Sequence, residues 1–126
     1  MYEDFHVKDR WTGVDLHCRW KANIVAIATR HADAVDVRFE VNERPVWIAM
    51  PCVAWVEQKK RSGGIITDYL AAQIAGHYLK EAVESGYDNG REMYTLSIAE
   101  TLDHLNAVMA EFRSARAVPM MPRLEA

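Results

Sequence analysis

The sequence predicts an α+β domain: an antiparallel sheet of four to five strands in the N-terminal half, with three C-terminal helices packed on one face. Three observations predict it. Up to about residue 50 apolar and polar side chains alternate with period two, beyond Pro51 they recur with the helical period, and the connections between alternating segments are short. Strands followed by helices, rather than strict alternation, is the α+β pattern.

Each element has its own warrant. DFHVK (4–8) reads as a short edge strand. After Thr12-Gly13, VDLHCRWK (14–21) places Val14, Leu16, Cys18 and Trp20 on one face and Asp15, His17, Arg19 and Lys21 on the other. NIVAIATR (23–30) is more uniformly apolar, as a central strand is. AVDVRFEV (34–41) alternates again, with Val35, Val37, Phe39 and Val41 inward and Asp36, Arg38 and Glu40 outward. Asn42-Glu43-Arg44-Pro45 then turns the chain into VWIAM (46–50). That last run does not alternate: either it is buried on both faces, or Trp47 and Ala49 lie on an outer surface.

Pro51 suits a first helical position, and Cys52, Val53, Trp55 and Val56 share one face of the helix it opens. Lys59, Lys60 and Arg61 favour that helix's C-terminus, and Gly63-Gly64 stops it. Thr67 caps a second helix that runs to about Ser85. Its apolar centre is Ala71, Ala75, Tyr78, Leu79 and Ala82, while Gln73, His77, Lys80, Glu81 and Glu84 face water. Gly76, costing about 1 kcal/mol against alanine in a helix interior, marks a place where another backbone comes close. Ser97 and Glu100 form a capping box before a third helix striped by Ile98, Leu102, Leu105, Val108, Met109 and Phe112. RAVPMMPRLEA (116–126 after Ala115) has two prolines and no period. The chain therefore reads as one domain over 1–115 with a C-terminal tail over 116–126.

Composition narrows the function. The chain has 126 residues, half of them hydrophobic and 26% charged, as in a soluble globular domain. A net charge of −3 argues against nucleic acid as a partner, and three cations at Lys59, Lys60 and Arg61 serve a helix dipole first. No apolar run approaches the roughly 18 residues of a membrane span, and the N-terminus has no signal-peptide core. The expected setting is cytoplasmic, with Cys18 and Cys52 reduced.

No metal or cofactor motif occurs: there is no H-E-x-x-H and no C-x-x-C. The strands could gather His6, His17 and His31 on the wet face, but at no ligand spacing, and neither a metal nor a cofactor is expected. Asp15, His17 and Arg19 opposite Asp36, Arg38 and Glu40 would make an acid–base surface if sheltered. Cys52, in a first helical turn, is the one candidate nucleophile. His77 beside Gly76 would be a site only if the glycine opened a groove. Trp11 and Trp47 are candidate interface residues, since exposed tryptophan suggests a partner. The leading expectation is a non-catalytic domain acting by association, as a homodimer or with another protein. The alternative is a small enzyme or ligand-binding domain with a pocket between sheet and helices, using His17, Asp36, Arg38 or His77.

Overall fold

Four antiparallel strands form in chain order: β1 (Asp4–Lys8), β2 (Asp15–Ala26), β3 (Ala34–Val41) and β4 (Arg44–Pro51). The chain then crosses through α1 (Val53–Ser62) and α2 (Asp68–Ser85), and returns as β5 (Met93–Thr95) before α3 (Ile98–Glu125). The sheet order is β1-β2-β3-β4-β5. β5 pairs with β4 in parallel, because a connection containing two helices can bring the chain back in the same direction. The computed structural model describes residues 1–26, 33–87 and 90–125, with residues 26 and 116–125 described by backbone alone.

The expected α+β class is what forms, with the sheet mixed rather than purely antiparallel. The two segments read as separate strands, 14–21 and 23–30, are instead one strand, β2, as far as Ala26; residues 27–30 lie outside the described residues. A bulge at Lys21 joins them, since Trp20 pairs with Phe39 and Ala22 already pairs with Arg38. One extra residue reverses the parity of the strand. Before it Cys18 faces the helices; after it Asn23 does, opposite Val37, and Ala22 and Ile24 pass to the open side. Val14 lies outside β2 and is exposed.

The core lies between one face of the sheet and the helices. Val35, Val37, Phe39 and Val41 from β3 meet Val46, Ile48 and Met50 from β4, with Ala71, Ala75, Leu79, Leu102 and Leu105 from α2 and α3 above them. Local signals start α2 and α3, and stop α1 and α2, as anticipated. Thr67 Oγ1 accepts the Leu70 amide, Ser97 and Glu100 cap each other, and Gly63 and Gly86 end α1 and α2 in the left-handed conformation. No described helix is long and apolar enough to cross a membrane.

Three expectations need correction. Pro51 closes β4 rather than opening α1, and Cys52 is the residue before the helix. Ala54 is the buried residue of α1, while Val53 and Val56 are exposed. The Trp55 indole donates to the Ile66 carbonyl at 3.0 Å, and together with Ala54 this fixes the rotation of a helix whose apolar residues are consecutive in its first turn and point to every side. The α2 face assigned to water is partly covered: Gln73 is fully buried and His77 largely so. Apart from these, the backbone of α3 runs helical to Glu125, through the segment read as a tail.

Gly76 is the close approach the sequence suggested, and the visitor is the N-terminus. A Cβ there would lie 2.6 Å from Tyr2 Cβ and 2.8 Å from the Tyr2 carbonyl. The Tyr2 amide donates to Gln73 Oε1 at 2.8 Å, and Gln73 Nε2 donates to Glu3 at 2.9 Å. Gly76→Ala is therefore expected to lower stability by roughly 1–3 kcal/mol through overpacking, outweighing the roughly 1 kcal/mol of helix propensity it gains; urea unfolding reads this directly. The β3–β4 hairpin offers the opposite case. Its two turn residues, Asn42 and Glu43, have φ of 46° and 72°, the mark of a type I′ turn. Glu43→Gly is expected to raise stability by roughly 0.5–1 kcal/mol, the left-handed strain relieved less the chain entropy that glycine adds to the unfolded state.

Candidate functional site

The open face of the sheet divides into two halves. Toward β1 it is charged and internally paired. Glu40 receives both Arg19 at 3.8 Å and Lys21 at 3.6 Å. His6 and His17 are cross-strand neighbours whose rings stack 4.3 Å apart, and each takes a carboxylate, His6 with Asp15 at 2.9 Å and His17 with Asp4 at 2.6 Å. His17 and Arg19 also line a cleft of about 370 Å³ with Asn42 and Glu43.

Toward β5 the same face is apolar. The pairing aligns Ala22, Arg38, Trp47 and Met93 in one row, and Ile24, Asp36, Ala49 and Thr95 in the next. Ile24 and Met93 are each 48% exposed. The Arg38 guanidinium lies 5.8 Å from the centre of the Trp47 ring, a cation–π contact, and its Nε is sealed from solvent with no hydrogen-bond partner among the described residues. Asp36, two positions away, has no ion pair among the described residues, and partial burial pushes its carboxyl above the usual range. Trp47 and Ala49 thus point to the open side of the sheet, yet Trp47 is half-buried and Ala49 buried there, so β4 is covered in part on both faces. The register brings Asp36 and Arg38 against Ile24 and Ala22, while Asp15 and His17 lie beyond the end of β3, so of the candidate acid–base surface only Arg19 and Glu40 stand opposite each other.

A second constellation lies between α2 and α3. His77 and Glu81, one helical turn apart, face His104 of α3, and the His77 and His104 Nδ1 atoms are 2.7 Å apart. His77 Nε2 lies 3.2 Å from Glu111, whose other oxygen accepts the Tyr2 hydroxyl at 2.5 Å. Burial, then the neighbouring His77, lowers the pKa of His104 and favours its neutral ring. His104 was not singled out from the sequence. The available signals were H-x-x-x-E in one helix and a histidine one step from the apolar stripe of the next, neither of which says that the two helices meet there.

The other candidates stand apart. Cys52 precedes α1, and burial with nearby Asp33 raises its thiol pKa, the reverse of an activated nucleophile. Trp11 is 70% exposed, but its indole donates to the Gly86 carbonyl at 3.0 Å. His31 lies outside the described residues. A cleft of about 240 Å³ does open between sheet and α2, but His17, Asp36, Arg38 and His77 do not line it. Of those four, the fold brings together Asp36 and Arg38, sets His17 with His6, and sets His77 with His104 in the other layer. Compared with known protein-family models, characterised proteins and solved structures, the chain matches none.

Proposed function

We propose that this chain is a non-catalytic domain that works by association, and that two copies pair through the apolar half of the open sheet face. One observation carries the reading: a carboxylate and a guanidinium, two positions apart on β3, each lacking an ionic partner among the described residues. A two-fold axis passing near Val37 sets Asp36 of one copy against Arg38 of the other, twice over. Such an interface is self-complementary by construction. Around the axis lie Ile24, Trp47, Ala49 and Met93, and tryptophan with arginine is the usual makeup of an energetically dominant centre. The Arg19–Lys21–Glu40 group, already paired, forms the polar rim. A cytoplasmic setting, with Cys18 and Cys52 as free thiols, accompanies this reading.

Light scattering across a concentration series tests it. The expected species is a dimer. Trp47→Ala should weaken it by about 2 kcal/mol or more, a roughly 30-fold rise in dissociation constant. Arg38→Asp should give a monomer, and the exchange Asp36→Arg with Arg38→Asp should restore the dimer. A monomer at every concentration, or a dimer indifferent to Trp47→Ala, overturns the pairing.

Asp36 supplies a further check by pH. In the isolated chain its carboxyl holds a proton more tightly than in the unfolded state. Stability therefore falls as pH rises from the ordinary aspartate value of about 3.9 through the raised one, and stays lower above it. In a Trp47→Ala background, Asp36→Asn is expected to remove that fall and leave the fold at least as stable at pH 7, by urea unfolding. In the otherwise unaltered chain the same substitution should weaken the dimer, which separates a cost within one copy from a gain between two.

A further inference from the structure

We infer that His77, Glu81 and His104 form a divalent-metal site, with Zn²⁺ as the ion whose chemistry fits best. Among the described residues these three side chains bring one ligand atom each within 4.8 Å of one another. Two imidazole nitrogens and a carboxylate oxygen make a set that suits zinc and its first-row neighbours rather than magnesium or calcium. The histidine nitrogens stand 2.7 Å apart. Two nitrogens each about 2.0–2.1 Å from a tetrahedral ion lie about 3.3 Å apart, so a rotation of a few tenths of an ångström per ring opens the site.

The surroundings match what metal-bound histidine requires. A ligating imidazole donates its other N–H to a carboxylate, which fixes the ring's orientation and raises its basicity. His77 has that arrangement: Nδ1 points to His104, while Nε2 meets Glu111, itself held by the Tyr2 hydroxyl. The His77 side chain is only 15% exposed, and Tyr2 packs edge-on against its ring at 5.4 Å. Glu81 reaches the same point because positions i and i+4 share a helix face. Three protein ligands leave a fourth position for water, as in zinc sites that remain open to exchange. Glu81 and His104 also line a cleft of about 210 Å³ with Tyr78, Ser85, Tyr87 and Glu100, which gives that position access to solvent.

Such an ion would pin α2 to α3 at the point where the N-terminal residues cover both. The site is independent of the open sheet face and stands whether or not the chain dimerises. The bland account of the same geometry is a neutral hydrogen bond between two imidazoles, one as donor and one as acceptor, with no ion involved.

The test uses the full chain after dialysis against a chelator. Calorimetric titration with Zn²⁺ should give one equivalent per chain, and Co²⁺ in its place should give the intense visible bands of four-coordinate geometry. Glu111→Gln, which removes no ligand atom but alters the contact that orients His77, should lower Zn²⁺ affinity about 10- to 100-fold, and Glu81→Gln and His104→Gln should each lower it further. The double variant His6→Gln with His17→Gln should bind as the unaltered chain does. Circular dichroism establishes that each variant folds; if His104→Gln does not, Glu81→Gln at an exposed position carries the test alone. Failure to bind Zn²⁺, or binding that survives Glu81→Gln, overturns the inference in favour of the imidazole hydrogen bond.

Discussion

The absence of one methyl group at Gly76 organises half of the molecule. It lets the Tyr2 backbone lie directly on α2, where no other residue would leave room. From that seat the Tyr2 amide satisfies one end of the buried Gln73 amide and Glu3 satisfies the other. A buried amide with both ends paired is stable, whereas one with either end unpaired costs a kilocalorie or more. The Tyr2 ring then turns over Gly76 to reach Glu111 on α3 and pack against His77. The helix–helix groove is thus closed by residues distant in the chain, and the imidazoles beneath it are held in a partly dry setting. An added Cβ at Gly76 would therefore strike several partners at once rather than one.

The sheet shows the complementary principle, that a surface left uncovered reveals itself by what it fails to satisfy. Along the β1 side of the open face the strand carboxylates are matched by a cation or an imidazole: Asp4 with His17, Asp15 with His6, Glu40 with Arg19 and Lys21. On the β3–β5 side this matching stops where the apolar rows begin. A solvated face carries charges because water satisfies them, yet Arg38 Nε is shut from water and left without a partner among the described residues. The bulge at Lys21 helps to create this half, since its parity change turns Ala22 and Ile24 outward.

Much of this was legible in the sequence wherever the determinant was local. The alternation of Val35, Val37, Phe39 and Val41 needs only a strand with one covered face, and it formed without exception. Thr67, the Ser97–Glu100 box and the two terminating glycines act within one turn of themselves, so their residue types suffice. What could not be read was set at long range. Nothing around Lys21 announces a bulge, because the extra residue is defined by its partner strand. The three residues of β5 have a strand only because β4 offers an edge. Val53 and Val56 satisfy an amphipathic pattern, but the helix turned Ala54 inward because Trp55 found the Ile66 carbonyl. Gln73 carries a polar side chain on a face opposite the alanines, and only the arrival of Tyr2 and Glu3 makes it core.

The places where local reading fails are informative about where to look for function. Sequences that fold well are locally consistent, and departures concentrate where something other than folding is being served. Here the departures fall into two groups. One surrounds the α2–α3 groove: a glycine in mid-helix, a buried glutamine, two imidazoles nose to nose. The other lies on the open sheet: apolar residues turned outward beside an arginine and an aspartate that have no ionic partner among the described residues. Folding alone explains neither group, since Ala at position 76 with a shorter N-terminus, or Thr and Lys on the outer rows, would satisfy the same strand and helix rules. The first group has the donor chemistry of an ion site and little exposed apolar area; the second has exposed apolar area and complementary charges but no convergent donors. That difference in chemistry is why one is read as binding an ion and the other as binding a second copy.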